Sequence, residues 1–190
     1  MNLIRPTLIA LALVSAASLG AQNVTAPAAP RVRTSPHDTI SARIDNNRVM
    51  IVYGRPYTKD PKTGQPRKIW GALVPAGKPW RTGADEATLF VTQQALDLGG
   101  TTLPAGAYTL YTLLTEDGSA QLLINKQIGQ WGADPYDAKQ EFAKVALKKD
   151  SLEPAVDQFT MALEKNPPGG GVLKLAWENT QFSVAYTVKK

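Results

Sequence analysis

One stretch decides the fold: AYTLYTLLTEDGSAQLLIN, which spans residues 107–125. Residues 107–115 are rich in tyrosine, threonine and leucine, which favour β-strands. The turn sequence Glu116-Asp117-Gly118-Ser119 follows, and residues 120–125 form a second apolar run. We therefore predict two antiparallel strands joined by a tight turn.

The alternation of apolar and polar residues continues on both sides of this hairpin. The further predicted hairpins join residues 39–44 to 48–53 through Asp45-Asn46-Asn47, residues 95–98 to 101–103 through Gly99-Gly100, and residues 172–177 to 182–188 through Glu178-Asn179. Residues 141–147 and 156–164 also alternate, and residues 134–144 are compatible with a short helix. About nine short strands with long loops of glycine, proline and tryptophan predict an all-β fold, an antiparallel β-sandwich or a jelly-roll-like arrangement.

Composition excludes several kinds of site. The 190 residues include no cysteine and one histidine, 43% are hydrophobic and 19% are charged, as in a globular protein. A disulfide scaffold, a cysteine-ligated metal and thiol catalysis are therefore impossible, and one chain cannot supply several histidines to a metal. We predict neither a cofactor nor a metal.

The N-terminus has the form of a secretory signal peptide. Arg5 supplies a positive charge, residues 8–14 are apolar, and small residues follow up to Ala21. A membrane anchor is the alternative, but this apolar run is shorter than the roughly 20 residues that a spanning helix needs. We expect a signal peptide at residues 1–21, a flexible Ala/Pro-rich leader at 22–34, and a single domain at 35–190 that is soluble in the periplasm or outside the cell.

Several longer motifs resemble one family. They are Arg55-Pro56, RKIWGALVP at residues 67–75, WRTGADEAT at 80–88, LPAGAYTL at 103–110, Gln130-Trp131-Gly132 and Trp177-Glu178-Asn179. Together they resemble the exported bacterial family called domain of unknown function 2911, over about residues 35–188. The resemblance implies an exported domain and brings no established activity with it.

The WRTGADEAT motif contains the group of side chains that most suggests a binding site or an ion pair. Arg81 can stack on the neighbouring Trp80 and can form a forked bond with Asp85 or Glu86. Gly83 allows the tight turn that would bring Glu86 back to Arg81. We expect an Arg81–Glu86 ion pair that locks the loop to the sandwich, and the alternative is a ligand-binding corner.

Three tryptophans, Trp70, Trp80 and Trp131, lie in glycine-flanked loops. Such residues can form exposed platforms for sugar rings, or they can close the open end of a sandwich by burying their large rings. We favour the second interpretation. Trp177 alternates with Leu173 and Leu175, and we assign it to the core.

All eight arginines precede residue 82, whereas the second half uses only lysine for positive charge. Because arginine suits planar, forked contacts, we place any specific contact with an anion or carboxylate in the first half. The most basic loop contains Arg55, Lys59, Lys62, Arg67 and Lys68. A solvated loop is the default interpretation, and an anionic glycan or lipid surface is the alternative partner; export argues against nucleic acid.

Asp85, Glu86 and Glu178 are the acidic residues within the motifs, and no triad elbow accompanies His37. We predict a non-enzymatic module that binds a small molecule, glycan or envelope partner through its loop-rich end. A hydrolase that uses the same loops is the alternative, and a structural envelope domain is the second alternative. The predicted site or lock comprises Arg55, Arg67, Lys68, Trp70, Trp80, Arg81, Asp85, Glu86, Trp131 and Glu178. The sequence does not indicate an oligomeric state.

Overall fold

A computed structural model describes residues 31–133 and 135–189. The predicted signal peptide and most of the predicted leader lie outside the described residues. The nine strands, in chain order, are β1 His37–Ile44, β2 Asn47–Gly54, β3 Thr88–Thr92, β4 Leu96–Leu98, β5 Thr101–Leu103, β6 Gly106–Leu114, β7 Ala120–Asn125, β8 Glu141–Lys165 and β9 Gly171–Val188. The all-β prediction is confirmed.

The strands form one antiparallel sheet in the order β1-β2-β3-β6-β7-β8-β9-β4-β5. Among the described residues the two end strands, β1 and β5, do not pair with each other, so the sheet is not a closed barrel. The long strand β8 joins two parts of the sheet. Its residues up to Leu147 pair with β7 in the first part, and its residues from Lys148 onward pair with β9 in the second part. Both parts contribute side chains to one core, as the layers of a sandwich do.

Alternating residues of several strands meet in this core. Ile51 and Phe90 come from the first part of the sheet, and Phe159, Leu175 and Trp177 come from β8 and β9. All five side chains are almost fully buried. Burial of such aliphatic and aromatic groups stabilises the fold by about 1.5–3 kcal/mol each.

The structure contains the hairpins predicted around residues 45–47 and 99–100. Asp45 and Asn46 adopt positive φ angles of 49° and 63°, as a two-residue turn between β1 and β2 requires. The Gly99-Gly100 turn joins β4 to β5. In the segment 134–144, where the sequence is compatible with a short helix, the structure has one 3₁₀ turn, Ala138–Gln140, after which the chain enters β8. Among the described residues, no helix is long and apolar enough to cross a membrane.

The predicted hairpin around Glu178-Asn179 is wrong. Both residues lie inside the continuous strand β9, where Glu178 adopts a positive φ of 52° and the pairing with β8 shifts register. The extra residues of this irregularity belong to β8, where residues 152–155 lie opposite Asn179 alone, and such a bulge bends the strands without reversing them. Residues 141–147 and 156–164, which were predicted as two strands, are likewise parts of the single strand β8.

Candidate functional site

A stacked pair of tryptophans forms one wall of the site. The ring centroids of Trp80 and Trp177 lie 5.8 Å apart, with 19° between the ring planes. Trp70 packs edge-on against both rings, with its centroid 6.4 Å from that of Trp80 and 6.3 Å from that of Trp177. Trp70 and Trp80 therefore pack within the aromatic core, and neither is an exposed platform.

Buried threonines hold the loop that carries Trp80. The backbones of Trp80 and Thr112 of β6 exchange two hydrogen bonds of 2.8 Å. The Thr82 hydroxyl lies 2.9 Å from that of Thr112, and the Thr88 hydroxyl donates to the Thr82 carbonyl at 2.6 Å. These contacts hold Thr82 at a φ of 53°, a left-handed conformation that is costly for a β-branched residue.

A cavity of about 130 Å³ lies against this wall. Arg67, Arg81, Asp85, Trp80 and Trp177 line it, and we call it the arginine cavity. A cavity of roughly 150 Å³ is large enough for benzene, so this space fits a group of a few non-hydrogen atoms.

Three buried N–H groups at the arginine cavity lack a hydrogen-bond partner among the described residues: Nε of Arg67, Nε of Arg81 and Nε1 of Trp177. Trp177 is 0% exposed, so solvent does not satisfy its indole N–H. Arg67 donates one hydrogen bond to the Tyr57 carbonyl, at 2.5 Å. No hydrogen bond or ion pair of the Arg81 side chain is found within the described residues. A buried donor without an acceptor costs about 1–3 kcal/mol.

Asp85 does not neutralise the two arginines, because its carboxylate already has other donors. Its two oxygens accept from the backbone N–H groups of Thr34 and Ser35 at 3.2 and 3.3 Å, and one lies 3.2 Å from His37 Nε2. Burial alone would raise the pKa of Asp85, but these donors hold it below its ordinary value. The lining of the arginine cavity therefore carries two positive charges and one negative charge that is bonded elsewhere.

Glu86 pairs with Arg33, and the expected Arg81–Glu86 pair is not formed. Arg33 binds the Glu86 carboxylate through Nη2 at 2.6 Å and through Nε at 2.9 Å, and His37 lies 3.4 Å from the same carboxylate. Burial alone would raise the pKa of Glu86, but the hydrogen bond from Arg33 helps to hold it below its ordinary value. Asp85 adopts a φ of 62°, and the bend leaves Glu86 outside the lining of the arginine cavity.

These contacts fasten the chain before β1 to the WRTGADEAT loop. We call this group the N-terminal latch, which consists of Arg33, Thr34, Ser35 and His37 on one side and Asp85 and Glu86 on the other. Arg33 and Thr34 belong to the predicted flexible leader, so the last part of that segment lies against the domain.

A larger cleft of about 620 Å³ adjoins the arginine cavity and shares Arg67 with it. Glu178 and Asn179 of β9 line this outer cleft, together with Lys59 and Asp157. Asp157 is hydrogen-bonded to Thr58. Glu178 is half-buried, and burial raises the pKa of its carboxyl.

The other predicted residues lie elsewhere or have structural contacts. Arg55 pairs with Asp38 at 3.3 Å and donates to the Phe159 carbonyl and the Thr160 hydroxyl of β8. Lys68 is exposed. Trp131 forms a β-bridge with Glu86 and does not line the arginine cavity.

Sequence reasoning grouped Arg67, Trp80, Arg81 and Asp85, which the structure brings to one cavity. It assigned Trp177 to the core and did not include it among the site residues, although it did include the neighbouring Glu178. The alternation of β9 correctly indicated burial of the ring, but it carries no information about the indole N–H.

Within the described residues, no three histidine, cysteine, aspartate or glutamate side chains form a group that could hold a metal ion. Apart from Asp85, whose oxygens already have donors, the charged groups that line the arginine cavity are the two arginines. Their chemistry suits an anion, since guanidinium groups donate hydrogen bonds and accept none.

The chain was compared with known proteins. Nothing among the curated proteins or the solved structures matches it. The model of one family, described as "Protein of unknown function (DUF2911)", matches residues 35–186. That span covers most of the chain and all of the residues that line the arginine cavity except Thr34. The chain therefore belongs to the DUF2911 family.

Proposed function

We propose that this domain binds a small anionic ligand, a carboxylate or another oxyanion, in the arginine cavity. One observation carries the proposal: Arg67 and Arg81 line the same cavity, neither forms an ion pair among the described residues, and the buried Nε of each lacks an acceptor there. A half-buried cation without a counter-ion is unfavourable for folding, because it loses hydration without gaining an ion pair. A ligand anion would supply that missing partner.

The geometry of the donors supports an oxyanion. Each guanidinium is planar and offers parallel N–H groups, which match the two oxygens of a carboxylate. The rings of Trp80 and Trp177 limit access of water, which strengthens electrostatic contacts in the cavity.

Backbone strain at the same place is a second support. Thr82 and Glu178 both adopt positive φ angles, and they directly follow Arg81 and Trp177 in the chain. Strained residues of this kind are concentrated at ligand-binding sites, where strain fixes the direction of neighbouring side chains. We propose that the strain here positions the donors of the arginine cavity, and that the domain is a binding module without catalytic activity.

Export is part of the proposal. The sequence of residues 1–21 has the charge and the apolar core of a signal peptide, so we propose that the ligand is met in the periplasm or outside the cell. N-terminal sequencing of protein recovered from the periplasm or the medium should begin near residue 22. Recovery of the protein with Met1 intact would contradict export.

Tryptophan fluorescence tests binding, because Trp80 and Trp177 line the arginine cavity. Titration with acetate, propionate and sulfate, against chloride at equal ionic strength, should give a saturable change. Arg81→Gln should weaken binding by at least about tenfold, the loss expected for one charge-assisted contact. The matched control is Arg43→Gln, which removes an exposed arginine of β1 outside the cavity. No saturable change with any of the anions, or equal binding by Arg81→Gln, would contradict the proposal.

A further inference from the structure

The outer cleft contains an acidic group that the anion site does not use. The carboxylate of Glu178 has no hydrogen bond or ion pair among the described residues, although its side chain is half-buried. The other acid of the outer cleft, Asp157, is bonded to Thr58. Glu178 is thus a carboxylate available to a ligand in this cleft.

The structure fixes Glu178 close to the arginine cavity. It directly follows Trp177, which lines the arginine cavity, and it shares the outer cleft with Arg67, which lines both spaces. Its positive φ occurs opposite the irregular part of β8, where the pairing of the two strands shifts register. Such an irregularity changes the direction of a side chain from the one it would have in a regular strand.

The two spaces have opposite chemistry. The arginine cavity offers unpaired guanidinium donors from Arg67 and Arg81, whereas the outer cleft, which Lys59 also lines, adds the unpaired acceptor oxygens of Glu178. A ligand that spans both needs an anionic group at one end and a cationic donor at the other. A purely anionic ligand would leave Glu178 desolvated and would be repelled by it.

We infer that the ligand is a zwitterion with a carboxylate in the arginine cavity and a primary ammonium group at Glu178, as in an amino acid or a short peptide. This inference rests on the proposed anion site and adds the second contact. Burial raises the pKa of Glu178, and a cation beside it would act in the opposite direction. The outer cleft, at about 620 Å³, has room for the body of such a ligand.

Matched ligand series test the inference by tryptophan fluorescence and calorimetry. One series consists of ω-amino acids from glycine to aminohexanoate, and the second consists of alkanoates of the same chain lengths. We expect one amino acid to bind at least about tenfold tighter than its matched alkanoate, the gain expected for one charged hydrogen bond. Triglycine, a longer zwitterion, distinguishes a peptide from a free amino acid as the source of this chemistry.

Glu178→Gln should abolish the advantage of the amino series and leave alkanoate binding unchanged. Glu164→Gln is the matched control, since Glu164 pairs with Lys174 near the end of β8, away from both spaces. If alkanoates bind and amino acids bind no tighter, or if the advantage survives in Glu178→Gln, the inference is overturned while the anion site stands. If neither series binds, both proposals fail.

Discussion

The N-terminal latch and the arginine cavity share a loop, but the charged groups of the latch have hydrogen-bonding partners and the Arg81 guanidinium in the cavity has none among the described residues. In the latch, Asp85 and Glu86 each meet two or more donors, and folding lowers the pKa of both. In the arginine cavity, Arg81 has no acidic partner and buried N–H groups have no acceptor among the described residues. The difference separates groups that stabilise this fold from groups that have no partner within it, which we propose are reserved for a ligand.

The largest effect should come from a change that breaks both regions at once. A Cβ atom added at Gly54 would lie 2.2 Å from the carbonyl oxygen of Ala84, in the loop between Arg81 and Asp85. Because the added Cβ would clash with backbone atoms, which cannot rotate away as a side chain can, we expect Gly54→Ala to reduce the free energy of unfolding by about 3 kcal/mol.

Urea denaturation measures this loss, and Gly64→Ala is the control. Gly64, unlike Gly54, has open space around it and a φ of +70°, so its substitution tests only the cost of a left-handed backbone, about 1–2 kcal/mol. Equal losses in the two variants would show that the close approach of Gly54 and Ala84 is unimportant.

Asp85→Asn breaks the latch at a residue that also lines the arginine cavity, but it leaves the guanidinium groups of Arg67 and Arg81 in place. Asparagine tolerates the positive φ of this position but removes the charge that the donors of Thr34, Ser35 and His37 surround. We expect a loss of about 2 kcal/mol in urea denaturation. Asp38→Asn, which removes a more exposed carboxylate, is the control and should cost less.

The same variant should change the dependence of stability on pH. Folding lowers the pKa of Asp85 and Glu86, so their stabilisation is complete above the ordinary carboxyl pKa of about 4. It is lost as the pH falls through the lowered values, because the unfolded chain then binds more protons. The wild type should therefore lose stability more steeply below pH 4 than Asp85→Asn, and parallel curves would contradict the assignment of Asp85 to the latch.

A smaller effect is expected at the exposed edge of the latch. The side chains of Glu86 and Arg33 are 34% and 57% exposed, and solvent screens such pairs. Glu86→Gln should lower the melting temperature less than Asp85→Asn does, and the difference from the wild type should shrink at high salt. A salt-independent loss as large as that of Asp85→Asn would mean that Glu86 is the main anchor of the latch.

The sequence alone predicted those hairpins whose formation depends on residues that are close in the chain. Alternation and turn residues identify the hairpins β1–β2, β4–β5 and β6–β7, because each pairs segments that are close in the chain. Glu178-Asn179 has the composition of a turn, yet long-range pairing with β8 keeps it inside β9. Register over such a distance depends on the whole sheet and has no local signal.

The site was harder for the same reason. Arg81 and Glu86 are five positions apart, and proximity in sequence favoured a pair between them. The positive φ angles of Thr82 and Asp85 turn the chain between them, so Arg81 lines the arginine cavity and Glu86 meets Arg33. Such angles are unusual for these residue types and depend on buried contacts made by other strands.

The unfolding free energy of Arg81→Gln, measured in a chloride buffer free of carboxylate, sulfate and phosphate, tests the central claim most directly. Because Arg81 has no acidic partner, we expect stability within about 0.5 kcal/mol of the wild type, or above it. Added propionate should then stabilise the wild type and Arg43→Gln but leave Arg81→Gln unchanged. A loss of about 2 kcal/mol or more, as in Asp85→Asn, would contradict the account and would mean that Arg81 stabilises the fold itself.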